Sequence, residues 1–261
     1  MRPTPEQARA VDLFLTGESL CINAFAGAGK TSTLLLIAAA TDRRGLYFAF
    51  NRSIALEARQ RFPAHVAPHT LHGYAYRSVL PLFREHPDKL TGEINPNRIV
   101  ELLGLEPMRP ARDCYLTARM AACVVKATVQ RFCQSDALRP GSEHVPRWGA
   151  TAGLSWWRFR GLAEASAGLA RRLWEQMTDP RNPVPLGHDG YLKLWALSRP
   201  VLPADFILLD EAQDSNGVVV GLLSRQPMQV VLVGDRYQQI YEWRGAVNAM
   251  ERMRVKHRTD L

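Results

Sequence analysis

The 261-residue sequence predicts an α/β fold, a parallel sheet flanked by helices and interrupted by a mostly helical inserted subdomain. Three observations predict it. "FILLD" (206–210) and "QVVLVGD" (229–235) are unbroken apolar runs that end in an acid, the pattern of strands covered on both faces. Near the N-terminus, strand-like and helix-like stretches alternate. From residue 85 to residue 184 the alternation stops and helical periodicity takes over, broken by "RPGSEHVPRWG" (139–149) and "DPRNPVPLG" (179–187). These divide the chain into 1–84, the first part of the α/β domain, 85–184, the insertion, and 185–261, the second part.

Taken in order, Thr4-Pro5-Glu6-Gln7 reads as a helix start, with Thr4 as N-cap and Pro5 in the first turn. "SLCINAF" (19–25) reads as a short buried strand and "KTSTLLLIAAA" (30–40) as the helix after it. "GLYFAF" (45–50) and "SIALEARQRF" (53–62) repeat the pattern. "HVAPHT" (65–70) is a third strand leading into the helix "LHGYAYRSVL" (71–80). Within the insertion, Arg112, Arg119 and Lys126 recur every seven residues, so on a helix they share one face. That face reads either as solvated or as a phosphate-contacting stripe.

Composition bounds the function. The hydrophobic fraction of 46% and charged fraction of 22% are those of a globular protein, and no apolar run reaches membrane-spanning length. Cys21, Cys114, Cys123 and Cys133 form no C-x-x-C pair, which argues against a zinc site or a disulfide framework. The net charge of +8 suits a polyanionic partner, of which nucleic acid is the commonest.

Two motifs carry chemistry. "AFAGAGKT" (24–31) fits a phosphate-binding loop whose first glycine is replaced by Ala24. Such a loop aims backbone N–H groups and a helix N-terminus at anionic oxygens. Ala26, Gly27, Ala28, Gly29, Lys30, Thr31 and Ser32 would hold the phosphates, with Lys30 on the β/γ-phosphates and Thr31 on Mg2+. "FILLDEAQD" (206–214) supplies the complement: Asp210 would hold Mg2+, and Glu211 would orient or deprotonate the attacking water.

With these motifs, "TPEQARAV" (4–11), "HTLHGYAY" (69–76) and "VGDRYQQIYEWRGA" (233–246) make the chain resemble the first motor domain of superfamily 1 DNA helicases of the UvrD/Rep/PcrA type. The likeness is greatest to the F-box DNA helicase branch, which "HDGYLKLWAL" (188–197) also resembles. The resemblance implies a RecA-like P-loop NTPase fold, an ATP hydrolase of DNA helicase type, ATP and Mg2+ as cofactors, single-stranded DNA as partner, and a setting in DNA repair or recombination. It implies that Gln7 reads the adenine edge, although the same glutamine completes a helix capping box. It implies that Gln238 senses the γ-phosphate and that Tyr241, Trp243 and Arg244 face DNA, where bases stack on aromatics for about 1–3 kcal/mol each. Trp243 also reads as a core aromatic. Thr70 and His72 would touch the DNA backbone, as would Phe50, Asn51 and Arg52 in "FAFNRSIA" (48–55). His188 and Lys193 fit the branch pattern without a derivable role, and Gly187 stands where a hydroxyl residue is expected.

Helicases of this type complete the site with arginines from a second motor domain, and the sequence stops before one. The expectation is therefore a chain weakly active alone, which is a truncated gene product, an expressed fragment or one half of a split enzyme whose second polypeptide supplies that domain. Two other readings stay open: a nucleotide-gated single-stranded-DNA binding module that does not unwind, and a P-loop ATPase acting on a partner other than nucleic acid. The expected location is a bacterial or phage-type host cytoplasm, near the nucleoid and without a membrane.

Overall fold

The computed structural model of the chain describes residues 3–25, 27–112, 114–239 and 247–261. Its contacts form two compact units, one from the residues up to Tyr74 together with Ser198–Leu261, the other Ala75–Leu197.

In the first unit, α1 (Pro5–Leu15) starts as the sequence predicts: the Thr4 hydroxyl accepts from Gln7 N and the Gln7 side chain accepts from Thr4 N. β1 (Leu20–Asn23) is buried along its length and leads through the phosphate-loop motif into α2 (Lys30–Ala39). β2 (Gly45–Phe48), α3 (Arg52–Arg61) and β3 (Val66–His69) repeat the strand–helix unit. The chain crosses to the second unit within α4 (Leu71–Val79).

The second unit is built on α5 (Pro96–Leu103), α6 (Ala118–Gln134), α7 (Trp156–Thr178) and α8 (His188–Leu197). It also contains a feature that the sequence pattern does not predict, the antiparallel pair β4 (Met108–Ala111) and β5 (Cys114–Leu116). Arg112 lies in the turn between these strands, before α6 begins. The seven-residue helical stripe is thus reduced to Arg119 and Lys126, and Lys126 sits 3.8 Å from Glu93.

The chain then returns to the first unit through β6 (Phe206–Leu209), α9 (Gly217–Ser224), β7 (Gln229–Gly234), α10 (Ala249–Arg252) and β8 (His257–Asp260). Among the described residues, six strands form one sheet in the order β3-β2-β6-β7-β1-β8, every pair parallel. The fold is α/β and RecA-like. Phe14, Leu20, Ile22, Leu34, Tyr47, Phe206, Leu208 and Val231 are buried together between the sheet and its helices. Because every strand runs the same way, every strand's C-terminus opens on one edge, where ligands bind in open α/β sheets. No helix of the described residues is long and apolar enough to cross a membrane.

Candidate nucleotide site

The loop after β1 leaves the sheet at Ala24, which is fully buried and whose N–H donates to Gly234 O at 2.8 Å. A small residue at this position therefore fits the close approach to β7. Gly27 and Gly29 have φ of +79° and +85°, left-handed values that favour glycine, and Gly29 is the N-cap of α2. A Cβ on Gly29 would also lie 3.1 Å from Gln7 Nε2. Ala28 sits in this turn, and Lys30, Thr31 and Ser32 form the first turn of α2, half-buried at the positive end of a ten-residue helix. Ala26 lies outside the described residues. Gln7 donates from Nε2 to Thr33 Oγ1 at 3.2 Å while its oxygen closes the capping box, so both ends of its amide are engaged locally.

β6 ends beside this loop. The Lys30 ammonium donates to both Glu211 oxygens, at 2.7 and 2.8 Å, so the phosphate-loop lysine and the acidic strand end are in direct contact. Glu211 has φ of +49°, an uncommon, strained value for a side-chain-bearing residue. Asp210 is buried. It accepts from the Tyr47 hydroxyl at 2.7 Å and from Glu211 N at 3.0 Å. Burial pushes its carboxyl above the ordinary aspartate value, and the Tyr47 hydrogen bond opposes that rise. Burial, reinforced by Asp210, likewise raises the Tyr47 phenol.

Three side chains that the sequence motifs do not single out join these pieces. Gln213 donates to Glu211 Oε2 at 2.8 Å and accepts from Asp235 N at 3.1 Å, linking the ends of β6 and β7. Asn23, at the end of β1, donates to Asp260 Oδ1 at 2.8 Å and accepts from Arg236 N at 3.3 Å, linking β1, β7 and β8. Tyr47 is the third. Their roles depend on strand order, and a linear sequence gives no signal for that. Asp235 is buried at the end of β7. Its Oδ1 accepts from Tyr237 N, and its Oδ2 finds no hydrogen-bond partner among the described residues. Gln238 comes next in an exposed turn, its N–H donating to Asp235 O at 3.0 Å. Phe25 and Tyr237, both exposed, stack nearly parallel at 6.0 Å on this edge.

Five of the residues expected to face DNA lie after β2 and β3 at the same sheet edge. Phe50 is exposed, Asn51 caps α3 by accepting from Ile54 N at 2.9 Å, and Arg52 opens that helix, exposed. The Thr70 hydroxyl accepts from Gly73 N at 3.0 Å, and His72 is half-buried in the first turn of α4. Tyr241, Trp243 and Arg244 lie outside the described residues. His188 and Lys193 belong to the other unit. There His188 pairs with the Tyr191 hydroxyl at 3.1 Å, and Lys193 is a buried cation donating to the Ser135 and Ala137 carbonyls.

Comparison with known proteins bears on this geometry. The UvrD/REP helicase N-terminal domain family matches residues 198–255, the stretch holding both β6 and β7 with their acidic ends. The chain is 34% identical over 257 residues to F-box DNA helicase 1 of Gallus gallus, covering 95% of this chain and 24% of that protein. It is 32% identical over 255 residues to F-box DNA helicase protein 1 of Schizosaccharomyces pombe, covering 93% of this chain and 28% of that protein. The chain carries a UvrD-like superfamily 1 motor domain. This UvrD-like chain spans about a quarter of the length of the curated relatives it matches. Both relatives are eukaryotic and lend nothing to the expected bacterial or phage-type setting.

Proposed function

We propose that the chain is an ATP-dependent DNA helicase or translocase motor domain that binds ATP with Mg2+ and uses hydrolysis to move on single-stranded DNA. The observation that carries this reading is the contact between Lys30 and Glu211. It joins an amide-lined turn at a helix N-terminus to a carboxylate pair, and triphosphate hydrolysis needs both. Glu211 holds the Lys30 ammonium that the phosphates would take over. Once released, Glu211 is placed to orient water, and Gln213 keeps its carboxylate aimed.

The residues present fit magnesium. Thr31 and Asp210 offer hard oxygen donors, and no group of three or more His, Cys, Asp or Glu among the described residues could hold a metal by itself. Mg2+ characteristically takes one or two carboxylates plus substrate phosphates. When bound, it would neutralise charge on the phosphate oxygens. Gln238 would report the γ-phosphate, and Gln7 would exchange its local partners for the adenine edge. Phe50, Asn51, Arg52, Thr70, His72, Tyr241, Trp243 and Arg244 would track the DNA strand, with the aromatics tolerant of sequence. The names of the two relatives, both DNA helicases, favour DNA over a non-nucleic-acid partner.

The test is ATP turnover with and without a single-stranded oligonucleotide, beside Lys30→Ala. DNA-stimulated turnover that the substitution abolishes supports the motor. Salt-sensitive oligonucleotide binding that shifts with ATP but comes without turnover would leave a nucleotide-gated binding module. Turnover indifferent to Lys30→Ala removes the site.

A further inference from the structure

The unit Ala75–Leu197 carries a surface that the nucleotide site does not use. It centres on "SWWRFR", residues 155–160, at the start of α7. Phe159 and Leu162 turn inward and pack with Cys114, Leu116, Leu154 and Met108 in a small closed cluster. That cluster is complete without the two residues before it. Trp156 and Trp157 are 56% and 74% exposed, edge to face at 4.7 Å. The Arg160 guanidinium lies 5.6 Å from the Trp156 ring, one helical turn away. On the same lobe, Tyr115 stands out from β5 between two buried neighbours, with Arg109 at 5.4 Å over its ring, and Trp148 is half-exposed.

Leaving large aromatic faces in water is costly, so exposed tryptophans concentrated on one lobe mark a binding surface. The charge around them selects the occupant. Over residues 106–119 and 147–164 the sequence places Arg109, Arg112, Arg119, Arg147, Arg158 and Arg160 against the carboxylates Glu106, Asp113 and Glu164. Flat rings beside guanidinium groups match a ligand made of flat bases and phosphates. Duplex DNA keeps its base faces stacked inside, whereas a single strand offers them. We infer that the Trp156–Trp157 face of α7, with Arg158 and Arg160, is a second binding surface for single-stranded nucleic acid, separate from the nucleotide site and working without ATP.

The experiment measures affinity of the whole chain for a fluorescent thymidine 20-mer by anisotropy, without nucleotide, in wild-type and Lys30→Ala backgrounds. Trp156→Ala/Trp157→Ala should weaken binding about tenfold or more in both backgrounds, since each stacked base is worth about 1–3 kcal/mol. Trp156→Phe/Trp157→Phe should recover most of the loss. Binding within twofold of wild type for the alanine pair overturns the inference, whether or not ATP turnover survives. A direct readout guards against a misfolded variant. Photocrosslinking wild type to a 5-bromouracil oligonucleotide should place adducts on Trp156 or Trp157, and adducts confined to the other unit refute the surface. Binding to phosphatidylserine vesicles lost with both tryptophans while oligonucleotide affinity holds would assign the face to an anionic membrane instead.

Discussion

The two units bury charge in opposite ways. In the unit Ala75–Leu197 the buried charged groups are cations closed off by carbonyls. Lys193, 1% exposed, donates to Ser135 O and Ala137 O at 2.7 and 2.6 Å and lies 4.3 Å from the Phe132 ring. Lys89 donates to Asp179 O and Asn182 O at 2.7 and 2.8 Å. Each caps a helix C-terminus, α6 and α7, where orphan carbonyls and the helix dipole favour positive charge. In the sheet unit the buried charges are anions, Asp210 and Asp235, at the strand ends, and Asp235 Oδ2 has no partner among the described residues. The two buried lysines donate their protons to carbonyls of their own unit, whereas Asp210 accepts from Tyr47 and Glu211 N and Asp235 keeps one oxygen unpaired among the described residues. The difference teaches that burial alone does not identify function.

The largest effect that would sharpen this contrast is on catalysis. Lys30→Ala and Glu211→Gln should each lower ATP turnover by about 10²–10³-fold, the scale of losing one preorganised charge-stabilising group. Both groups are partly exposed, so the thermal midpoint should hardly move. A large fall in melting temperature with either variant would make the Lys30–Glu211 pair a structural bridge instead.

The converse applies to Lys193→Met. It keeps the apolar stem but leaves two buried carbonyls unpaired, and urea unfolding should show a loss of about 2–4 kcal/mol. Nucleotide affinity, read with a fluorescent ATP analogue, should be unchanged. A loss below about 0.5 kcal/mol would break the comparison, since Lys193 would then be no more structural than a surface lysine.

Tyr47→Phe probes the anionic side. The Tyr47 hydroxyl donates to the Asp210 carboxyl, so where that group is ionised its removal should cost about 1.5–3 kcal/mol. Asp210 is an acid whose folded value is raised above its unfolded one, so the folded chain holds that proton more tightly. Its contribution to stability is therefore largest in acid and is lost as pH rises through the folded value. Without the opposing hydrogen bond the value rises further. The penalty of the substitution should therefore shrink below that value, and the acid limb of Mg2+-dependent ATP binding should move to higher pH. A penalty equal at acid and neutral pH would mean that the hydroxyl does not act on the charged form.

Much of this was legible in the sequence because parallel strands signal themselves twice, by unbroken apolar runs and by the loop or helix pattern after each run. β1, β2, β6 and β7 are such runs, and a parallel sheet brings Lys30 and Glu211 to one edge with no further information. β8 was not legible. "HRTD" (257–260) alternates polar residues and joins β1 at the sheet edge through its backbone, so it lacks the apolar signal. The β4–β5 pair was missed for a related reason, since "MRPA" and "CYL" form no sustained apolar run with a helix after each. Gln213, Asn23 and Tyr47 were illegible in another way. Their partners lie 2 to 237 positions away and become neighbours through the order β2-β6-β7-β1-β8.

The smallest predicted effects decide what Gln7 does. Thr4→Ala removes the N-cap hydroxyl and should cost about 1 kcal/mol of stability while leaving the preference for ATP over GTP intact. Gln7→Ala also breaks the capping box, so its stability loss should be of the same order. If the amide also reads adenine, the preference for ATP over GTP should fall in this variant and not in the other, by about tenfold for a lost pair of hydrogen bonds. Gln7 commits one amide N–H to Thr33 and one oxygen lone pair to Thr4 N, so reading a base competes with these partners for the orientation of the amide. Thr33→Val removes one of those competitors without touching the cap. It should therefore tighten ATP binding slightly if Gln7 serves the base, and leave it unchanged if Gln7 serves only the helix.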